Sequence, residues 1–214
     1  DNKNLTQIVS IVKKTKSEAY GFKIGKEFFY NYGIEGYKKI YKLSPNIFLD
    51  LKLHDIPNTV NQSIQGLKLL PIKMLTVHVS GGVQMMKAAV EGVKDSDIQV
   101  FGVTALTSLS DADSKSIFQR NVSLQVGAML DLAQEAGIHG VVCSPHELGL
   151  VSKINSLLSI TPGIRMQNSQ DDQKRVMTPK EAIDLGADYL VIGRPITSST
   201  DIKKSFNEIY ESIL

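Results

Sequence analysis

Asp50-Leu51-Lys52-Leu53-His54-Asp55-Ile56-Pro57-Asn58-Thr59 follows directly on the apolar run Ile47-Phe48-Leu49. Pro45-Asn46 upstream and Pro57 downstream bound the run, which marks a short buried strand. Alternate residues of a strand share a face, so Asp50 and Lys52 point the same way, and Asp55 lies just past the strand end. Two carboxylates and one ammonium so close together are costly to bury unless they pair. At a strand end, such a cluster is a candidate for electrostatic catalysis. A structural ion pair in the mouth of a barrel is the blander alternative.

Outward from this stretch, apolar runs alternate with helix-like segments. Strands are expected at Ala19–Ile24, Ile47–Lys52, Met74–Val79, Gln99–Thr104, Gly140–Cys143, Leu158–Thr161 and Tyr189–Ile192. Amphipathic stretches lie between them at Gly36–Leu43, Val60–Leu70, Gln84–Val93, Gln125–Ala136, Pro145–Asn155, Pro179–Leu185 and Ile202–Ile213. Strands that are apolar throughout and separated by helices predict a parallel sheet with helical crossovers. Leu5–Lys14 reads as a further helix, with apolar positions at Leu5, Ile8, Val9 and Val12. A helix that opens the chain implies a strand before it. The expectation is therefore an α/β fold, a (β/α)8 TIM barrel whose first strand is missing or lies upstream of Asp1. No linker or composition shift divides the chain, so residues 1–214 read as one barrel domain. A doubly wound open sheet is the competing architecture.

Composition excludes several classes. The net charge is +2, from 24 basic and 22 acidic residues, which gives no case for a nucleic-acid or membrane-surface protein. No apolar run approaches the roughly 20 residues that span a bilayer, and no signal peptide is visible. The single cysteine, Cys143, rules out an intrachain disulfide and suits a reducing, cytoplasmic setting.

The polar residues fall where a barrel carries its site, at the carboxyl ends of strands. They are Lys23; Asp50, Lys52 and Asp55; His78 and Ser80; Thr104 and Thr107; Cys143 and Ser144; Thr161 to Arg165; and Gly193-Arg194-Pro195. The turn Gly193-Arg194 ends a strand and opens a helix, an arrangement that suits a phosphate, although such a turn alone is more often an ordinary loop. The polar loop Arg165–Arg175 reads either as a solvated connection or as a lid. His54 and His78 read as structural residues, Cys143 as a small buried apolar group, Met85-Met86 as helix packing, and Asp171-Asp172 as a solvated face.

The decade Asp50–Thr59 resembles the signature of the orotidine 5′-phosphate decarboxylase family. Phe22-Lys23-Ile24-Gly25-Lys26-Glu27, Val77-His78-Val79-Ser80-Gly81-Gly82, Val103-Thr104-Ala105-Leu106-Thr107-Ser108, Thr161-Pro162-Gly163-Ile164-Arg165 and Ile192-Gly193-Arg194-Pro195-Ile196-Thr197 resemble further family segments, in order along the chain. The resemblance implies a homodimeric barrel that converts orotidine 5′-phosphate to UMP and CO2, the last step of de novo pyrimidine nucleotide synthesis, with no metal and no organic cofactor. It implies a charge network of Lys23, Asp50, Lys52 and Asp55, with Lys52 the catalytic lysine. Asp55 and Thr59 would reach into the partner's site. It also implies ribose contacts at Asp1 and Lys23, and a pyrimidine contact at Thr107, helped by Ser80 or the Pro162 region. Arg165, Gln173, Gly193 and Arg194 match the phosphate side. The loop after Arg165 is about one residue shorter than in some relatives, which leaves the contacts of Gln167 and Gln170 open. Two other readings stay beside this one. A sugar-phosphate decarboxylase or aldolase on a similar barrel shares an Asp-x-Lys-x-x-Asp pattern and commonly uses Mg2+. A non-catalytic phosphate-ligand binding barrel is the second.

Overall fold

In the computed structural model, residues 4–166 and 176–214 are described. Asp1 and Gln173 lie outside them, as do Gln167, Gln170, Asp171 and Asp172. Seven strands run through the described residues: β1 (Phe22–Gly25), β2 (Ile47–Leu53), β3 (Met74–His78), β4 (Gln99–Val103), β5 (Gly140–Val142), β6 (Leu158–Thr161) and β7 (Tyr189–Leu190). Each is parallel to the next, in the unbroken order β1 to β7. A doubly wound sheet reverses its strand order at a switch point. This sheet does not, so the open-sheet alternative falls. The helices are α1 (Leu5–Thr15), α2 (Lys26–Tyr41), α3 (Pro57–Leu67), α4 (Gly82–Gly92), α5 (Asp111–Phe118), α6 (Val122–Ala136), α7 (Leu148–Val151), α8 (Pro179–Asp184), α9 (Arg194–Thr197) and α10 (Ile202–Glu211).

Two apolar cores reveal the curl of the sheet. Phe48, Met74, Phe101 and Ile160 form an inner cluster, with Val142, Leu158, Tyr189 and Val191 packed on it. These side chains come from β2 round to β7, and they can meet only if one face of the sheet closes on itself. Phe101 on β4 meets Tyr189 on β7 edge-on, with ring centroids 6.4 Å apart. Tyr20, just ahead of β1, lies 5.3 Å from the same Tyr189, so the two ends of the sheet approach each other. The opposite faces of the strands supply Leu49, Leu75, Val77, Val100 and Val141 to an outer core shared with Ile64, Met85, Met86 and Leu130 of the helices. Strands buried on both faces account for the unbroken apolar runs in the sequence. The architecture is a (β/α)8-type barrel in which β1 takes the place of the expected second strand.

Several boundaries differ from the sequence reading, each for a local reason. The strand expected from Ala19 begins at Phe22, because the chain before it is clipped to the entry of β2. The Phe22 N–H donates to the Asn46 carbonyl at 3.0 Å, and the Asn46 side-chain amide donates to the Tyr20 carbonyl at 2.8 Å. A Cβ at Gly21 would stand 2.3 Å from the Asn46 carbonyl oxygen. The helix expected at Gly36–Leu43 starts ten residues earlier, at Lys26, and breaks at Gly33, whose φ of 55° and ψ of −155° no helix accommodates. Only the segment after the break shows a clear apolar period. Helix α5 has no counterpart in the apolar periodicity of the sequence. Its short polar sequence is held by a capping box in which the Ser110 side chain accepts from the Asp113 N–H and the Asp113 carboxylate accepts from the Ser110 N–H. Pro145–Asn155 yields one 3-10 turn, Pro145–Glu147, and the four-residue α7. No helix among the described residues is long and apolar enough to cross a membrane.

Candidate active site

Strand alternation turns an apolar barrel floor into a charged barrel mouth. Phe48 and Met74 belong to the inner cluster, so two residues further on Asp50 and Thr76 share that inward face, and His78 follows Thr76. On β1 the residues Phe22 and Ile24 pack outward against the helices, which leaves Lys23 inward. The inner face therefore changes from aromatic and aliphatic to Lys23, Asp50, Lys52, Thr76 and His78 at the carboxyl ends of adjacent strands.

The pairing of β2 with β3 sets the geometry. Leu49 pairs with Leu75, yet Leu53 pairs with Val77, so four residues of β2 advance against two of β3. The irregularity falls on Lys52, whose φ of 51° lies in the left-handed region. For a residue with a Cβ this costs about 1–2 kcal/mol. The shift is even, so Asp50 and Lys52 keep a common face, as the strand period predicts.

Three of the four expected network residues converge. The Lys52 ammonium donates to Asp50 Oδ2 at 2.6 Å, and Lys23 Nζ stands 3.3 Å from the same oxygen. The Thr76 hydroxyl donates to the other oxygen, Oδ1, at 2.9 Å and accepts from the Lys52 backbone N–H, also at 2.9 Å. Asp50 and Thr76 are buried, and Thr76 is fully so. Burial pushes the Asp50 carboxyl up. The Lys23 and Lys52 ammoniums and the hydrogen bonds from Lys52 and Thr76 outweigh it and hold the group below the usual carboxylate value. Asp50 is accordingly a carboxylate between two cations.

His78 lies beside this network with its ring 5.2 Å from that of His54. Burial, the neighbouring His54 and the lysines Lys26 and Lys52 lower its pKa to about 4 against the opposing pull of Asp50. It is a neutral imidazole at pH 7. Cys143 is a buried thiol, and Met85 and Met86 are fully buried on α4, both as expected.

The remaining expected residues among those described follow the carboxyl ends of their strands. Asp55 lies past β2, exposed, with its carboxylate accepting from the Ile56 N–H at 2.7 Å. Among the described residues no ion pair joins it to Lys23 or Lys52. Thr59 is exposed in the first turn of α3. Thr107 is half-buried beyond β4, and Pro162 half-buried beyond β6. Arg165 is buried, with its guanidinium donating to the Ile164 carbonyl at 2.8 Å. Its backbone N–H donates to the Met177 carbonyl at 3.0 Å, and the Met177 N–H to the Gly163 carbonyl at 3.3 Å, which ties the two ends of the 165–177 loop together. Gly193 and Arg194 are exposed where the chain leaves β7 and enters α9. Thr76 is the site residue that the sequence reading does not name. It sits two residues from the inward Met74, between the apolar Leu75 and Val77, and that polar interruption is its one sequence signal.

Comparison with known proteins identifies the family. The model of the orotidine 5′-phosphate decarboxylase / HUMPS family matches residues 1–209. The chain belongs to this family. A Wolbachia pipientis protein named orotidine 5′-phosphate decarboxylase is 43% identical over 216 residues, covering 100% of this chain and 96% of the relative. An Ehrlichia canis protein of the same name is also 43% identical, over 100% of this chain and 95% of that one. The crystal structure of orotidine 5′-phosphate decarboxylase from Lactobacillus acidophilus superposes with a TM-score of 0.84 at 36% identity, covering 100% of this chain and 96% of that one.

Proposed function

We propose that this protein is a carboxy-lyase that converts orotidine 5′-phosphate to UMP and CO2 and so completes de novo pyrimidine nucleotide synthesis. The observation that carries the reading is the buried Asp50 carboxylate held between Lys52 at 2.6 Å and Lys23 at 3.3 Å at the mouth of the barrel. Decarboxylation at C6 of a pyrimidine breaks the bond from C6 to the carboxylate and leaves its electron pair on C6, with no ring position able to delocalise it. A cation already in place beside C6 meets that charge without reorganisation. Lys52 supplies this charge and then transfers a proton from Nζ to C6, giving UMP. Asp50 keeps the Lys52 ammonium directed and stands next to the departing carboxylate, whose repulsion falls as CO2 leaves. No metal or organic cofactor enters this reaction.

The phosphate lies far from C6 and supplies binding energy for closure and desolvation. Arg165, Gln173, Gly193 and Arg194 form its side of the site, Thr107 and Pro162 the pyrimidine side, and Asp1 and Lys23 the ribose side. Asp55, Ile56 and Thr59 stand exposed together beyond β2, with Ile56 67% exposed. This supports a homodimer in which Asp55 and Thr59 complete the partner's site. The setting is cytoplasmic, in keeping with the single buried thiol.

The test is the loss of absorbance of orotidine 5′-phosphate on mixing with purified protein in the presence of EDTA, with light scattering on the same sample. Conversion to UMP by a dimer is expected. A folded dimer that leaves the substrate unchanged overturns the reading. Conversion that fails only with EDTA moves it to a metal-using enzyme on the same barrel.

A further inference from the structure

We propose that Thr76 is a positioning residue for the proposed decarboxylation, closing a ring of hydrogen bonds that begins and ends at Lys52. The Lys52 N–H donates to Thr76 Oγ1, Thr76 Oγ1 donates to Asp50 Oδ1, and Asp50 Oδ2 accepts from Lys52 Nζ. A threonine hydroxyl has one proton and two acceptor positions. With the Lys52 amide on one acceptor position, the proton is directed to Asp50. One carboxylate oxygen is thereby committed to Thr76, and the other is left to the two ammoniums of Lys23 and Lys52. The plane of the carboxylate, and with it the direction in which Lys52 Nζ is held, follows from that division.

The same hydroxyl anchors the backbone of Lys52, at the one left-handed position of the strand. Strained conformations persist where the surroundings over-determine them. Here the surroundings are the register shift between β2 and β3 and the Thr76 acceptor. Thr76 itself is fully buried on β3, with its hydroxyl engaged by the Lys52 N–H and the Asp50 carboxylate. It therefore transmits the rigidity of the barrel floor to the lysine that is to deliver the proton.

Among the described residues, the charged and titratable groups facing Asp50 are Lys23 on β1, Lys52 on β2 and His78 on β3. His54 and Lys26 act on His78 in turn. Thr76 is the neutral donor among them. Its hydrogen bond favours the ionised form of Asp50, so removing it raises the Asp50 titration and leaves the lysines in place.

The inference rests on the proposed reaction, and its test separates the two. Thr76→Val keeps the shape and removes the hydroxyl, whereas Thr76→Ser keeps the hydroxyl and removes a methyl. Thr76→Cys, with a weak donor of similar size, is a second removal that must behave like Thr76→Val. In Thr76→Val, kcat is expected to fall about 10- to 100-fold, the range for a hydrogen bond to a charged group. KM should stay within about threefold, and the acid limb of the kcat profile should move to higher pH. Thr76→Ser should restore kcat to within about threefold of the parent and return the acid limb to its place. The Asp50 carboxyl, followed by 13C NMR in the ligand-free protein, should titrate higher in Thr76→Val and Thr76→Cys than in the parent and in Thr76→Ser. An Asp50 titration that does not move, or a kcat per folded active site equal to the parent's, overturns the role of Thr76. If the parent itself leaves orotidine 5′-phosphate unchanged, the proposed reaction fails, and the carboxyl titration still decides whether Thr76 sets the state of Asp50.

Discussion

Asp50→Asn removes one charge and keeps the size of the side chain, and its consequence follows from the distances. Lys23 and Lys52 lie 3.3 and 2.6 Å from the same oxygen, so their ammoniums are at most about 6 Å apart. Without the carboxylate they repel each other by about 3 kcal/mol at an effective dielectric of about 20. Water trims this figure at Lys23, whose side chain is 35% exposed. Two charge-assisted hydrogen bonds also weaken. A net loss of about 3 kcal/mol at pH 7 is expected, in the range for leaving a buried charge without its partner. With an m value of about 3 kcal/mol/M in urea, the unfolding midpoint drops by about 1 M. The loss also carries a pH signature. The folded Asp50 carboxyl titrates below its ordinary value, so its contribution is fully present above the unfolded carboxylate pKa. It is lost as pH falls through the folded pKa. The gap between the parent and Asp50→Asn should therefore be wide at pH 7 and close progressively below about pH 4. Urea titrations of both proteins at several pH values measure it. Equal midpoints at pH 7, or a gap that does not narrow on acidification, refute the reasoning.

Other perturbations probe separate parts of the argument. Lys52→Ala should lose turnover by about a thousandfold or more while its far-ultraviolet circular dichroism stays that of the parent; near-normal turnover would remove Lys52 as the proton donor. Arg194→Ala should raise KM for orotidine 5′-phosphate about 10- to 100-fold with kcat within about threefold. In that variant the preference for UMP over uridine should shrink by a similar factor, which calorimetry can check. Gly21→Ala places a methyl 2.3 Å from the Asn46 carbonyl oxygen and should destabilise the fold by about 1–3 kcal/mol, read as a lower thermal midpoint with unchanged turnover per folded molecule.

Much of the fold is legible in the sequence because the physics that decides it is local. The apolar run Ile47-Phe48-Leu49 must be buried on both faces, and burial on both faces requires helices on one side and a closed interior on the other. The segments that depart from the hydrophobic pattern are those in which capping or backbone freedom decides the outcome. Helix α5 has little apolar period and is held by Ser110 and Asp113 at its cap. In α2 the break at Gly33 separates a stretch of mixed polarity from the periodic one. Neither feature leaves a trace in a hydrophobic pattern.

The site divides along the same line. That Asp50 and Lys52 share a face follows from strand period, and they do meet. That Thr76 faces them does not follow from either strand alone. It depends on Phe48 pairing with Met74, and then on β2 advancing two residues further than β3 before Leu53 pairs with Val77. Register is a relation between two strands, set by packing that is distant in sequence, and one sequence read segment by segment does not contain it. The same shift places the left-handed backbone on Lys52. In the proposed chemistry the ammonium of that residue must be ready before the charge on C6 develops. A flexible lysine would lose part of its stabilising effect to reorganisation. Lys52 is instead held at both ends, by its backbone N–H on Thr76 and by its Nζ on Asp50. The strain of the bulge and the charge cluster are thus two aspects of one arrangement. The fold fixes a cation at the barrel mouth, and the cost of fixing it is met during folding, before any substrate binds.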